Sequence, residues 1–295
     1  MSARQTAMLL GLAAVWGASF LFIAIAVDDL GALGVAFARC VGGAAALLAW
    51  AAATGRIGSL SAIRERWRDY VLLSALNAAI PFALIASAEL TIPASLAAIV
   101  NATAPMFAAV IAIVWLGDRL DGRRGAGLAL GLVGVALVVG LAPIGTSFTT
   151  FLAIAASLAA AASYSFGGHL IQRRFAGHDA LTVAFGQQAI AAVLCLPFLF
   201  VDAPRRVPDL GAIAAVLALG VLSSGLAYLF YFVLIDELGA TSALSVTYLV
   251  PVFGVLWAAL FRDEHITGGM IVGAIVVLGG VILVTWKRRT VVVTE

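Results

Sequence analysis

Apolar runs of about 20 residues recur along the whole chain with short polar breaks between them, and this spacing limits the fold more than any single motif does. An α-helix needs about 20 apolar residues to cross a hydrocarbon core of roughly 30 Å. Ten runs of that kind are present. Five lie near Thr6–Val27, Ala32–Ala53, Tyr70–Leu90, Ala94–Gly117 and Gly125–Ala142. Five more lie near Thr150–Ile171, Ala180–Val201, Leu210–Ile235, Ala240–Phe261 and Thr267–Trp286. Composition agrees, since 63% of residues are hydrophobic and 11% charged, against about 25% charged in a soluble domain. Many breaks are long enough only to turn the chain back. The expectation is an all-α integral membrane protein of ten transmembrane helices.

The chain also repeats itself. ALGVAFAR, Ala32–Arg39, returns 148 positions later as ALTVAFGQ, Ala180–Gln187, and the same shift puts Trp16 on Tyr164. Further on the shift becomes 146, and Pro105, Phe107, Gly122, Gly127 and Gly134 fall on Pro251, Phe253, Gly268, Gly273 and Gly280. Acidic Asp118 meets acidic Glu264. The sequence therefore reads as two units, 1–145 and 146–295, of five helices each. An odd number of crossings makes the second unit enter the membrane from the other side, so the repeats are expected to be inverted. Inverted repeats are a recurrent transporter architecture with the substrate site near the midplane between the halves.

Basic residues set the expected orientation. With a cytoplasmic N-terminus, that side collects Arg4, Arg56, Arg64, Arg66, Arg68, Arg119, Arg123, Arg124, Arg173, Arg174, Lys287, Arg288 and Arg289, and the other side keeps Arg205, Arg206 and Arg262. Both termini are thus expected in the cytoplasm, with the protein in the cytoplasmic (inner) cell membrane. The net charge of +2 reflects that bias, not a nucleic-acid surface. A cleaved signal peptide is not expected, because a signal's apolar region is about 7 to 15 residues and the first run here is longer.

Two five-helix repeats, WGASFLF in the first helix, prolines in the fourth and ninth, an acid after each, and glycine-rich fifth and tenth helices together resemble the EamA family of the drug/metabolite transporter superfamily. The resemblance implies ten helices, cytoplasmic termini and, in many members, export of amino acids, metabolites or toxic compounds.

Candidate substrate-binding residues are the polar and proline positions inside apolar helices. Arg39 lies about two turns into the second helix, and an arginine deep in a bilayer costs about 2.5 to 3.5 kcal/mol on insertion scales. Its planar fork fits a carboxylate, so it either binds an anionic substrate group, pairs with Glu89, or snorkels to the headgroups. Gln187 in the second copy keeps hydrogen bonding and drops the charge. Glu89 is a candidate proton site or an interfacial carboxylate. Pro105 and Pro251 read as mid-helix kinks that free the carbonyls of Asn101 and Thr247, with Pro81 near Asn77 as a third. Trp16, Tyr164 and Tyr248 fall near mid-helix and would line a mostly apolar pocket. Asp118 and Glu264 read as structural partners of nearby arginines.

Gly127 with Gly131, and Gly269 with Gly273, have the spacing that lets helices approach closely, so the fifth and tenth helices read as packing elements within the fold or in a homodimer. His169, His178 and His265 have no metal-ligand spacing, Cys40 and Cys195 form no redox motif, and no phosphate-binding loop is present. Neither a cofactor nor an enzymatic reaction is expected. The expected function is secondary export of small metabolites such as amino acids or of drug-like compounds, by alternating access between the inverted repeats, with a lipid-linked translocase or a non-transporting membrane scaffold as the alternative.

Overall fold

The structure, a computed structural model, describes residues 2–56, 60–145, 147–201, 206–238 and 246–285. Among them there is no strand. The start of the expected ninth helix, residues 240–245, and Trp286 lie outside the described residues.

Helix α1 (Ala3–Ala53) begins at a reciprocal cap: the Ser2 hydroxyl accepts from the Gln5 amide, and the Gln5 side chain accepts from the Ser2 amide. An unbroken helix of 51 residues would run about 75 Å. Gly31, at φ 71° and ψ 165°, divides it into residues 3–30 and 32–53. Only glycine enters that backbone region without a Cβ clash. Short α2 (Leu60–Glu65) leads to α3 (Trp67–Ser74), which passes through a π-helical segment, Ala75–Ala79, into α4 (Ile80–Glu89).

The kink expected at Pro105 interrupts the helix over two residues. Helix α5 (Ala94–Asn101) stops, Ala102 and Thr103 form a turn that keeps right-handed dihedrals, and α6 (Ala104–Leu116) starts with Pro105 in its first turn, where a missing N–H removes no bond. Helix α7 (Gly122–Leu141) follows, capped by Asp121.

In the second half, α8 (Phe148–Arg174) is capped by Ser147 and α9 (Ala180–Cys195) by Asp179. Helix α10 (Leu210–Ala218), capped by Asp209, runs through a second π-helical segment, Leu219–Leu226, into α11 (Ala227–Leu238). Helix α12 (Val246–Arg262) carries Pro251 in its interior, and α13 (Gly268–Thr285) is the last described element. Eight helices of the described residues are long and apolar enough to cross a membrane; the first is the one divided by Gly31, and α12 at 17 residues is shorter.

The sequence repeat has structural counterparts. The two π-helical segments occupy matching places in the two halves. The turns after α6 and α12 match as well: Gly117 and Asp263 both adopt positive φ, 72° and 50°. The next amides, of Asp118 and Glu264, close on Ala112 and Ala258 at 3.1 and 3.4 Å.

Helices α7 and α13 pack on each other through their glycines. A Cβ added at Gly127 would lie 2.8 Å from the Gly280 carbonyl oxygen, and one at Gly280 would lie 2.7 Å from that of Gly127. The glycine faces are therefore consumed inside one chain, and their opposite faces, with Leu132, Val133, Ile271 and Ile275, are exposed. A homodimer through these helices would have to use those outer faces.

Candidate functional site

A buried polar cluster forms where α1, α9 and the two π-helical segments meet. Arg39 is 7% exposed. Its Nε donates to the Ser224 hydroxyl at 2.7 Å, and its guanidinium lies 3.7 Å above the centre of the Phe82 ring, a cation–π geometry. The close approach that brings Ser224 to Arg39 needs glycine: the backbones of Gly42 and Gly220 meet so tightly that a Cβ on either would sit about 3 Å from the other's Cα. Tyr164 stands beside Phe82, with ring centres 6.4 Å apart.

The matching contact also crosses between the two halves. Asn77 Nδ2 donates to Gln187 Oε1 at 2.9 Å. Gln187 is 2% exposed, and its Nε2 is buried without a hydrogen-bond partner. Gln188 Nε2 donates to the Ser224 carbonyl at 3.3 Å.

Carbonyls of both π-helical segments accept from side chains of other helices. Trp16 Nε1 donates to the Ser223 carbonyl at 3.1 Å, and the Ser163 hydroxyl to the Leu76 carbonyl at 2.7 Å. A π turn is rare and frequently marks a functional site. Here the wide turns are held open by bonds that cross from one half of the chain to the other. Trp16 also packs against Tyr231 and Tyr228, with ring centres 5.3 and 6.1 Å away.

Of the residues singled out in the sequence, Arg39, Trp16, Asn77, Tyr164 and Gln187 thus come together. Glu89 does not join them. It ends α4, buried, with neither carboxylate oxygen hydrogen-bonded, and it forms no ion pair with Arg39 within 4.0 Å. Asn101 and Pro105 flank the α5–α6 break, and Ser165 of α8 donates to the Ala104 carbonyl there at 2.6 Å. Thr247, Tyr248 and Pro251 lie in α12, where the Tyr248 hydroxyl meets that of Thr285 at 2.5 Å. Glu264 is not paired with an arginine as expected but caps α5, whereas Asp118 does pair with Arg124, at 3.1 Å.

Sequence reasoning missed Ser224, Phe82 and Gln188. The signal for Ser224 was present in the repeat: a shift of 147, between the two shifts seen elsewhere, carries Asn77 onto it. Among the described residues, no group of three His, Cys, Asp or Glu side chains comes together to hold a metal. A surface recess of about 400 Å³, lined by Glu65, Arg66, Trp67, Arg68, Asp69 and Arg174, is separate from the buried cluster.

Long apolar helices, a two-repeat plan and a buried polar cluster between the repeats define a multi-pass membrane protein of transporter type. The signature of the EamA-like transporter family matches residues 5–140 and 151–286, and the chain belongs to that family. A probable terminal-alkyne amino-acid exporter from Streptantibioticus cattleyicolor is 26% identical to it, over 93% of this chain and 90% of that one. A probable amino-acid metabolite efflux pump from Escherichia coli is 25% identical over 67% and 69%. The uncharacterized transporter YvbV of Bacillus subtilis is 25% identical over 77% and 74%. A protein of known crystal structure, 21% identical, superposes with a TM-score of 0.67 and covers 96% of both chains, a likeness that concerns the fold alone.

Proposed function

We propose that the protein is a secondary exporter of small carboxylated metabolites, amino acids first among them, working by alternating access between two inverted repeats in the cytoplasmic membrane. Taking the two parts of α1 separately and adding α12 gives ten crossings, five per repeat, with both termini in the cytoplasm as the arginine distribution favours.

The observation that carries this reading is Arg39. It is buried in a membrane helix, and among the described residues no carboxylate lies within ion-pair distance of it. Ser224 and Phe82 hold its Nε and one face, and the remaining N–H groups suit the paired oxygens of a carboxylate. The surrounding Trp16, Phe82 and Tyr164 suit an apolar or aromatic side chain. The names of the two exporter relatives point the same way.

Ligand-induced thermal stabilisation of the purified protein tests this, since a ligand that binds only the folded state raises its stability. Stabilisation by amino acids, lost when their carboxylate is amidated, is the expected result. Stabilisation by lipophilic cations alone would overturn the role given to Arg39.

A further inference from the structure

The turns after α6 and α12 are built alike and end differently. Each places an acid directly after a left-handed residue, and in the second copy a non-glycine residue, Asp263, takes up that uncommon conformation to keep the turn. Yet Asp118 is about half exposed on the face that holds the start of α1, bonded sideways to Arg124 of its own repeat. Glu264, on the opposite face, reaches into the other repeat. Its Oε1 accepts from the Ala94 amide at 2.9 Å and its Oε2 from the Ser95 amide at 3.1 Å.

Those amides open α5, and their own cap position is occupied by Pro93, which offers no side-chain acceptor. The first free N–H groups of a helix need an acceptor, and a carboxylate there gains from the helix dipole as well. The second repeat supplies what the first lacks.

Helix α5 packs on α12 and α8 of the second repeat, and α6, its continuation toward the N-terminal face, on α8 and α13. Ion pairs do not share the difference between the two acids: Asp69 with Arg174 on the N-terminal face and Asp29 with Arg206 on the opposite one are formed at the same time. Those pairs hold the halves together and do not distinguish the two faces.

We propose that Glu264 is the latch that closes the pathway on the face opposite the N-terminus. The structure is then the state closed on the Glu264 side. Opening that side strips the Ala94 and Ser95 amides of their acceptor until water replaces it, so the latch is strong when dry and weak once wetted. The inference rests on the alternating-access reading of the function.

Ser95 is 1% exposed, under the latch. In a chain lacking Cys40 and Cys195, Ser95→Cys is reacted with a membrane-impermeant maleimide applied to its own face of sealed vesicles. No substrate enters the measurement, so its failure is separable from failure of the exporter assignment. Glu264→Ala is expected to raise the labelling rate about tenfold or more, on the scale of losing charge-assisted hydrogen bonds. Asp118→Ala, at the matching turn on the other face, is expected to leave it unchanged. An unchanged rate in Glu264→Ala overturns the latch. An equal rise in Asp118→Ala, as general loosening of the fold would produce, overturns it as well.

Discussion

Arg39 and Ser224, 185 residues apart in sequence, are joined by a 2.7 Å hydrogen bond between the second helix of one repeat and the π-helical segment of the other. Gln187 and Asn77, the residues that take their places when the repeats are exchanged, form the matching bond at 2.9 Å. The fold thus makes the same crossing contact twice and places a positive charge on one of them. The uncharged pair makes the crossing contact without a charge, and the proposed function assigns the charge of Arg39 to a ligand.

Arg39→Gln restores the symmetry and is expected to leave the protein folded and inserted. Its stability should equal or exceed that of the parent, since it removes a side chain that costs about 2.5 to 3.5 kcal/mol to bury at mid-membrane. Transport of carboxylated substrates should fall about 10- to 100-fold, the value of a hydrogen bond to a charged group. Thermal unfolding and uptake of radiolabelled amino acids into proteoliposomes measure the two halves of this expectation. Unchanged uptake would remove Arg39 from the binding site.

Ser224→Ala should weaken substrate binding by roughly 1 kcal/mol, about fivefold, through loss of the bond that orients the guanidinium. Asn77→Ala removes the bond on the uncharged side and should alter stability with little effect on the selectivity for carboxylates over amides. Titrations of both variants with an amino acid and its amide decide the point, and equal losses in the two variants would show that the cluster acts only as packing.

Two similar changes, one in the interface of α7 and α13 and one outside it, are expected to have opposite outcomes. Gly127→Ala puts a methyl group 2.8 Å from the Gly280 carbonyl oxygen and should destabilise by about 1 to 3 kcal/mol, as overpacking does. Gly168→Ala, in α8 with nothing within 4 Å of the added atom, should stabilise by about 0.4 to 1 kcal/mol through the unfolded chain. Melting temperatures in one detergent give both signs, and a neutral Gly127→Ala would mean that the helices can shift apart freely.

Glu237 at the end of α11 accepts from Arg4 at 2.7 Å and from Gln5 at 3.2 Å. Its hydrogen bond to Arg4, then that to Gln5, holds its carboxyl below the ordinary value. A lowered folded-state value contributes stability above the ordinary carboxylate range and loses it as the pH falls through the folded value. The tie between the start of α1 and α11 should therefore weaken in acid. A carboxyl-carbon NMR titration should find the Glu237 midpoint higher in Arg4→Gln, and no movement would deny the pairing in solution.

Much of this was legible in one dimension because the constraint is itself one-dimensional. Hydrocarbon thickness sets the length of apolar runs, so the helices could be located, and the repeated phrase at Ala32 and Ala180 disclosed the two-repeat plan. Arg39 stood out because a charge inside such a run has a cost that must be met. Hydropathy, however, carries no information about partners. It could not show that Ala75–Ala79 and Leu219–Leu226 widen into π turns, since that depends on side chains of other helices bonding to their carbonyls. Nor could it show that the helix is interrupted at Ala102 and Thr103 before Pro105, or that Glu264 caps a helix 170 residues away instead of meeting a nearby arginine. The sequence by itself determined which segments are apolar helices and which charges lie among them, because both follow from local composition against a bilayer of set thickness. Only the tertiary structure decided which backbone and side-chain groups answer one another, because within a membrane each unmet polar group must find its partner wherever the packing of the helices brings one near.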